Sequence, residues 1–284
     1  FYIIVSLTQK AILSVFIIEI KKIKVQTMLT IISPAKIQNF NPQNTIFDYT
    51  LPVFLKEANM LAKQLGSYSI SELASLLHIN SKIAEENANR YFHWKTPFTP
   101  ENSKQAILTY NGEVYRGLDA ATLNNEEILY LQNHLRILSG LYGVLKPLDL
   151  IQPYRLDVKD KFTTEKGDNL YSFWKTRVTD ETAKAVKNSD NPDVLLNLAS
   201  AEYTRMLDIK QLKVRIIDFD FLKYNPESDT FKTITIYLKR ARGLMVRFIA
   251  QNRITDPEDL KAFSADGYWY SERFSTENKM VFVQ

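Results

Sequence analysis

The chain has 284 residues, of which 45% are hydrophobic and 24% are charged, a balance typical of a globular protein with one large domain or two small ones. It contains no cysteine, which excludes disulfides, thiol chemistry and thiolate metal sites. The formal net charge is +4, and residues 1–27 carry +3 of it, so residues 28–284 are nearly neutral. A polyanion would therefore have to bind this body through a local basic patch.

Residues 1–27 differ in pattern from the rest of the chain. Their apolar stretch, Ala11 to Ile18, is shorter than the ~20 residues that span a bilayer, and a lysine cluster follows it. A signal peptide carries its positive charges before the apolar run, so this segment does not fit one. We interpret residues 1–27 as a tail foreign to the domain, with an amphipathic helix as the alternative, and residues 28–284 as one domain. We expect no association with a membrane.

Strand and helix patterns alternate along residues 28–284. The first half predicts a strand over 28–32, helices over 51–65, 69–77 and 81–91, a loop over 94–100, a strand over 106–110 and a helix from 124 toward 138. The second half predicts helices over 170–186, 202–206, 242–252 and 257–263, and strands over 194–196, 214–219, 233–238 and 280–283. This order predicts an α/β fold (α+β mixed), a compact single domain with a mixed sheet surrounded by helices.

The sequence lacks the common catalytic and metal-binding motifs. It contains no GxxxxGK[ST], GxGxxG, GxSxG or HExxH pattern. Its three histidines, His78, His93 and His134, are far apart in the sequence, and a histidine without a partner motif is more often structural than a ligand. We therefore predict neither a metal site nor a cofactor.

Two polar clusters follow predicted strands, where ligands gather in open α/β sheets. Lys36 comes shortly after the strand over 28–32 and could meet a phosphate; the alternative is a solvated lysine. Asn197, Ser200 and Glu202 come directly after the strand over 194–196 and suit a binding or catalytic edge. The alternative for that cluster is that Ser200 simply caps the next helix.

A glycine-containing turn lies in residues 135–148. We predict that a helix ends near Leu138, that Gly140 to Gly143 form a tight turn, and that a second helix begins near Val144. This arrangement resembles a helix-hairpin-helix, although its turn is one residue longer than the usual Gly-x-Gly; the alternative is an αα-hairpin that only packs. The predicted DNA contacts from this region are Ser139, Gly140, Tyr142, Gly143, Lys146 and the nearby Arg155.

A basic run covers residues 239–253, which hold five basic residues and no acidic one. Lys239, Arg240, Arg242 and Arg247 are its predicted phosphate contacts, and Gly243 would allow a backbone to approach closely. Because the body is otherwise near neutrality, this run is the strongest phosphate-binding candidate in the chain. The alternative is a solvated basic face of a helix.

Six segments in order along the chain match one known family: MLTIISPAK, NGEVYRGL, HLRILSGLYGVLKPLDLIQPYRL, LYSFW, NLASAEY and KRARGLMVRFI. Together they resemble the YaaA-type peroxide stress family, and they extend from Met28 to near the C-terminus. The resemblance implies a cytoplasmic protein that protects against hydrogen peroxide and is linked to limiting free intracellular iron and DNA damage. It also implies a compact α/β fold with a positively charged cleft and a helix-hairpin-helix that contacts DNA.

We favour a DNA-binding protein without sequence preference over an enzyme, and we predict no protein partner. Without cysteine or clustered histidine, the chain has no evident means of destroying peroxide or storing iron itself. The alternative is an enzyme for a nucleotide-like or phosphorylated small molecule, with Lys36, Asn197, Ser200, Glu202 and Arg242 in one pocket and Glu202 as general acid or base. An adaptor without a ligand is a third possibility. An open basic groove would favour DNA, and a narrow pocket that joins Lys36 to Glu202 would favour catalysis.

Overall fold

Parallel strands form the centre of the sheet in the computed structural model, which describes residues 28–43, 46, 48–164, 167–189 and 194–284. Within these residues the main sheet has eight strands. Seven of them follow the spatial order β4 (Gly143–Leu145), β3 (Leu135–Ser139), β1 (Leu29–Ile32), β6 (Val194–Asn197), β7 (Arg215–Asn225), β10 (Lys279–Val283) and β9 (Trp269–Tyr270), and the eighth is β8 (Thr230–Lys232). Neighbours from β3 to β10 are parallel, and β4 and β9 are antiparallel edges. β8 pairs with β7, while β2 (Lys104–Gln105) and β5 (Leu150–Ile151) form a separate pair.

Helices cover this sheet, and several of them begin at side-chain caps. They are α1 (Leu55–Gly66), α2 (Ile70–Leu77), α3 (Ser81–Phe92), α4 (Ala106–Thr109), α5 (Glu113–Leu118), α6 (Asn125–His134), α7 (Leu170–Lys187), α8 (Ala201–Thr204), α9 (Ile209–Leu212) and α10 (Thr235–Asn252). Capping boxes start α2 at Ser69, α6 at Asn124 and α7 at Asn169, where each side chain accepts a backbone N–H of the first turn. The predicted mixed α/β fold, with one sheet among helices, is confirmed.

The register of the parallel strands brings several loop starts to one edge of the sheet. Strand β1 is buried along its whole length, as expected for a parallel strand covered on both faces. Ile31 of β1 lies opposite Asn197 of β6, and Asn197 lies opposite Asp218 of β7. The loop after β1 and the loop after β6 therefore leave the sheet side by side.

The glycine turn of residues 135–148 is a β-hairpin, so the prediction of a helix-hairpin-helix in this segment is wrong. Strands β3 and β4 pair antiparallel, with Leu138 opposite Val144 and Ser139 opposite Gly143. The predicted helix from residue 124 toward 138 ends at His134, where the chain enters the sheet. A short apolar run suits a buried strand as well as a helix, and hydrogen bonding to β1 decides between them.

Two further short runs that were predicted as strands are helical instead. Residues 106–110, predicted as a strand, form α4, whose Thr109 hydroxyl donates to the Gln105 carbonyl. Residues 233–238, also predicted as a strand, contain the start of α10, because the chain beyond them buries Ala241, Met245 and Ile249 at helical spacing. The tail predicted for residues 1–27 lies outside the described residues.

Helices α5 and α10 cross at two glycines. A Cβ added at Gly243 would lie 1.8 Å from the Val114 carbonyl oxygen, and one added at Gly117 would lie 2.2 Å from the Arg240 carbonyl oxygen. Gly243 was expected to allow a backbone to approach closely. The backbone that approaches it in the structure is that of α5. This close crossing fixes the direction in which the cations of α10 point.

Candidate anion-binding cleft

Hydrogen bonds tie together the loops that follow β1 and β6. The Ser33 hydroxyl accepts the Ser200 backbone N–H at 2.9 Å and donates to the Ser200 hydroxyl at 3.2 Å. Asn197 donates its amide N–H to Asp218 at 2.7 Å, and its amide oxygen accepts the N–H of Ala199 at 3.1 Å. Asn197 is therefore held by its own neighbours at the edge of the sheet.

A cavity of about 360 Å³, here termed the enclosed pocket, opens beside these loops. Lys36, Ser200, Glu202 and Arg242 all line it. These are four of the five residues that the enzyme hypothesis placed together; the fifth, Asn197, lines the neighbouring cavity. One cavity in the described part of the chain thus joins Lys36 to Glu202, the two residues whose meeting the enzyme hypothesis requires.

Asp157 is the centre of a hydrogen-bonded group in the enclosed pocket. Its two carboxylate oxygens bind different partners: one accepts the Tyr203 hydroxyl at 2.7 Å and the other pairs with the Lys36 ammonium at 2.9 Å. Burial opposes ionisation of Asp157, but the hydrogen bonds from Tyr203 and Lys36 and the nearby lysine charges outweigh it and lower its pKa. Burial also raises the pKa of Tyr203 well above its usual value, so the phenol stays a hydrogen-bond donor.

Two more carboxylates line the same pocket. Glu202 pairs with Lys159 at 3.0 Å, and this hydrogen bond raises the pKa of Lys159. Asp160 accepts the backbone N–H of Asp157 at 2.7 Å, and burial raises the pKa of Asp160. The pocket therefore holds Asp157 and Asp160, two carboxylic acids whose pKa values move in opposite directions.

A second cavity of about 940 Å³, here termed the open groove, adjoins the pocket. Its cations are Lys175, Arg205, Arg242 and Lys279, and its acids are Asp218 and Asp220. Lys279 pairs with Asp220 at 3.1 Å, whereas the Arg205 guanidinium lies 4.7 Å from the centre of the Tyr171 ring. The first turn of α7 also lines the groove, with backbone N–H groups that favour anions.

Arg242 lines both cavities. Its Nε atom is buried and has no hydrogen-bond partner among the described residues, and no ion pair of Arg242 occurs there either. Burial lowers the pKa of Arg242, and the charges of Asp220 and Asp218 oppose that shift. Arg242 is half-buried, and a buried N–H group without a hydrogen bond is costly, so this position is suited to an anionic ligand.

The sequence matches a family model described as peroxide stress protein YaaA over residues 28–274. The chain belongs to the YaaA peroxide stress protein family. Among similar proteins, a UPF0246 protein of Acaryochloris marina is 47% identical over 257 residues, which cover 90% of this chain and 100% of the relative. A UPF0246 protein of Neisseria gonorrhoeae is 44% identical over 261 residues, covering 90% of this chain and 98% of the relative. The family resemblance inferred from the six segments is confirmed.

Not all of the predicted phosphate contacts in the basic run are free to bind. Arg240 pairs with Asp266 at 2.9 Å. Arg247 donates to the carbonyl oxygens of Leu118 and Asp119, each at 3.0 Å, so its guanidinium holds the end of α5. Lys239 is exposed and lines the enclosed pocket, as does Arg155.

The hairpin of this YaaA-family chain contacts the core. Ser139, Gly140 and Tyr142 are buried, and the Trp174 indole donates to the Gly140 carbonyl oxygen at 2.8 Å. Gly143 has a φ of 70°, and a Cβ there would lie 2.7 Å from the Trp174 ring. These four positions present no exposed group to a phosphate. Lys146 is exposed but lines neither cavity.

Sequence reasoning missed six charged residues and one tyrosine that help to complete the cleft. They are Asp157, Lys159, Asp160, Lys175, Tyr203, Arg205 and Lys279. The alternating charges of Asp157-Val-Lys159-Asp160 were a usable signal, because they directly follow the family segment that ends at Leu156. Lys175 and Arg205 gave none, since Lys175 on α7 and Arg205 just after α8 each stand among residues of both charge signs.

Among the described residues, no group of three or more histidine or acidic side chains is arranged to hold a metal ion. In the same part of the chain, no helix is long and apolar enough to cross a bilayer.

Proposed function

We propose that this chain protects against peroxide stress by binding the phosphate backbone of DNA in the open groove, without reading base sequence. The observation that carries this proposal is Arg242, a half-buried arginine that lines both cavities and whose buried Nε atom has no hydrogen-bond partner in the described residues. A phosphate oxygen would supply the charge-assisted hydrogen bonds that Arg242 lacks. Contact with phosphates gives affinity that is independent of sequence.

The groove offers further phosphate contacts around Arg242. Arg205 makes no ion pair among the described residues, and its position on the Tyr171 ring keeps the planar guanidinium near the groove. The first turn of α7 also borders the groove, where the positive end of the helix dipole favours anions; its capping box already holds the backbone N–H groups of Asn169 and Ser172. Of the groove cations, Lys175 pairs with Asp208 and Lys279 pairs with Asp220, so Arg205 and Arg242 are the two without an ion pair in the described residues.

DNA binding of this kind offers a physical connection with iron. Cationic side chains that neutralise DNA phosphates release the cations condensed on them. Where the condensed cation is ferrous iron, release moves the source of peroxide-derived oxidants away from the DNA. We place this activity in the cytoplasm, where it requires no metal ligand on the protein.

The test is a fluorescence anisotropy titration of labelled duplex DNA at several salt concentrations. We expect the double variant Arg205→Gln/Arg242→Gln to reduce the slope of log affinity against log salt by about 0.9 for each lost contact. The matched control is Arg240→Gln/Arg247→Gln, which removes the same charge from residues that already have partners within the protein. Its slope should equal that of the wild type once circular dichroism shows that the fold is retained.

Three results would contradict the proposal. One is a wild-type protein whose affinity for DNA does not depend on salt. Another is a groove variant that keeps the wild-type slope while the control variant loses it, because the binding cations would then be Arg240 and Arg247. Affinity that differs strongly between duplexes of different sequence would contradict recognition through phosphates.

A further inference from the structure

We infer that the enclosed pocket is a separate binding site for a phosphorylated sugar of nucleotide size. Its volume of about 360 Å³ falls in the range of sites that hold small molecules. The inference uses residues that the DNA proposal does not need, with the exception of Arg242.

The cations of the pocket fall into two groups. Lys36 and Lys159 are neutralised by Asp157 and Glu202 at 2.9 and 3.0 Å. Arg155, Lys239 and Arg242 make no ion pair within the described parts of the chain. Three cations that make no ion pair with the protein can together bind one phosphate group.

The acids of the pocket argue against a polyanion and favour a ligand with hydroxyl groups. Glu113, Asp157, Asp160 and Glu202 all line the cavity, so a DNA strand with a phosphate at each nucleotide would meet like charges. A sugar, by contrast, donates its hydroxyls to carboxylates. Asp157 suits this role because Tyr203 and Lys36 fix the orientation of its carboxylate.

Apolar groups complete the lining of the pocket. Leu77, Val114 and Leu156 lie on it together with the ring of Tyr115, whose hydroxyl donates to the Ser33 carbonyl oxygen at 3.1 Å. A pocket with a cationic group, carboxylates and apolar side chains fits a phosphate, a sugar and a planar base in one molecule. The mononucleotide is therefore the ligand class that uses the most of this lining.

Isothermal titration calorimetry of the full chain tests the inference with AMP, ribose 5-phosphate, adenosine and inorganic phosphate. We expect AMP to bind with a Kd of about 1 mM or tighter and adenosine to bind at least about tenfold more weakly. The variant Arg155→Gln/Lys239→Gln should lose about tenfold or more in affinity for AMP. The control is Arg240→Gln, which neutralises the neighbour of Lys239 on α10 and should leave AMP binding unchanged.

The variants separate this site from the DNA groove. Arg205→Gln alone should weaken DNA binding and leave AMP binding intact, whereas Arg155→Gln/Lys239→Gln should do the reverse. The inference is overturned if neither AMP nor ribose 5-phosphate binds the wild type, or if folded Arg155→Gln/Lys239→Gln binds AMP as the wild type does. Loss of DNA binding with AMP binding retained would remove the DNA proposal only.

Discussion

Replacement of Gly243 by alanine should destabilise the protein although alanine is the better helix former. The added Cβ would lie 1.8 Å from the Val114 carbonyl oxygen, 2.7 Å from the Leu118 nitrogen and 2.8 Å from the Val114 carbonyl carbon. Carbon and oxygen atoms approach to about 3.3 Å, so α5 and α10 would have to separate by about 1.5 Å. All three atoms belong to the backbone, which leaves no side chain that could rotate away.

The expected loss follows from two opposing terms. Alanine gains about 1 kcal/mol over glycine inside a helix, and overpacking of this kind costs about 1–3 kcal/mol or more. With three backbone clashes we expect the upper part of that range, a net loss of about 2 kcal/mol. In a domain of this size the Tm should fall by about 4–8 °C.

Thermal and urea unfolding followed by circular dichroism would measure the change. Gly66→Ala is the matched control, because its added Cβ would meet Tyr91 Cβ at an ordinary 3.5 Å. That control should be neutral or slightly stabilising. The argument for a close crossing fails if Gly243→Ala unfolds at or above the wild-type temperature.

Two other substitutions test the hairpin and the pocket. Gly143→Val should lower the Tm, because φ is 70° and the side chain would strike Trp174, yet the fraction that remains folded should bind DNA with wild-type affinity in anisotropy titrations. Reduced affinity in that folded fraction would return the hairpin to the DNA site. The lowered pKa of Asp157 predicts a stabilising contribution that is complete above about pH 4 and lost as pH falls through the folded-state pKa. Asp157→Asn should therefore be less stable than the wild type at neutral pH, with a difference that shrinks in acid; a pH-independent difference in urea midpoints would contradict it.

Long periodic segments were predictable from the sequence. The apolar positions of α1 to α3 repeat at helical spacing over eight residues or more, and capping residues such as Ser69 mark where a helix begins. Strand β1 was equally clear, because a short apolar run that stops at Ser33-Pro34 is typical of a buried strand. In these segments the residues that decide the secondary structure lie within the segment itself.

Short apolar runs were not predictable, because their conformation is decided elsewhere in the chain. Residues 135–139 follow a segment of helical pattern in the sequence. They nevertheless form a strand, because their backbone groups pair with those of β1. Residues 233–238 are rich in β-branched side chains, yet they lead into α10, which packs on α5. The choice between helix and strand for such a run depends on the element that it packs against. That element lies far away in the sequence, so local sequence patterns do not reveal it.

The charges of the basic run, residues 239–253, also depend on residues that are distant in the sequence. Counted along the sequence, residues 239–253 offer five cations, but three of them have partners from distant segments: Arg240 has Asp266, Arg253 has Glu126, and Arg247 has the carbonyl groups that end α5. The glycine crossing holds α10 against α5 and so brings Arg247 to those carbonyls. Lys239 and Arg242 make no ion pair in the described part of the chain. The number of basic residues in a sequence segment is thus larger than the number of cations that a ligand can bind. The cations available to phosphate are those that no other residue pairs with.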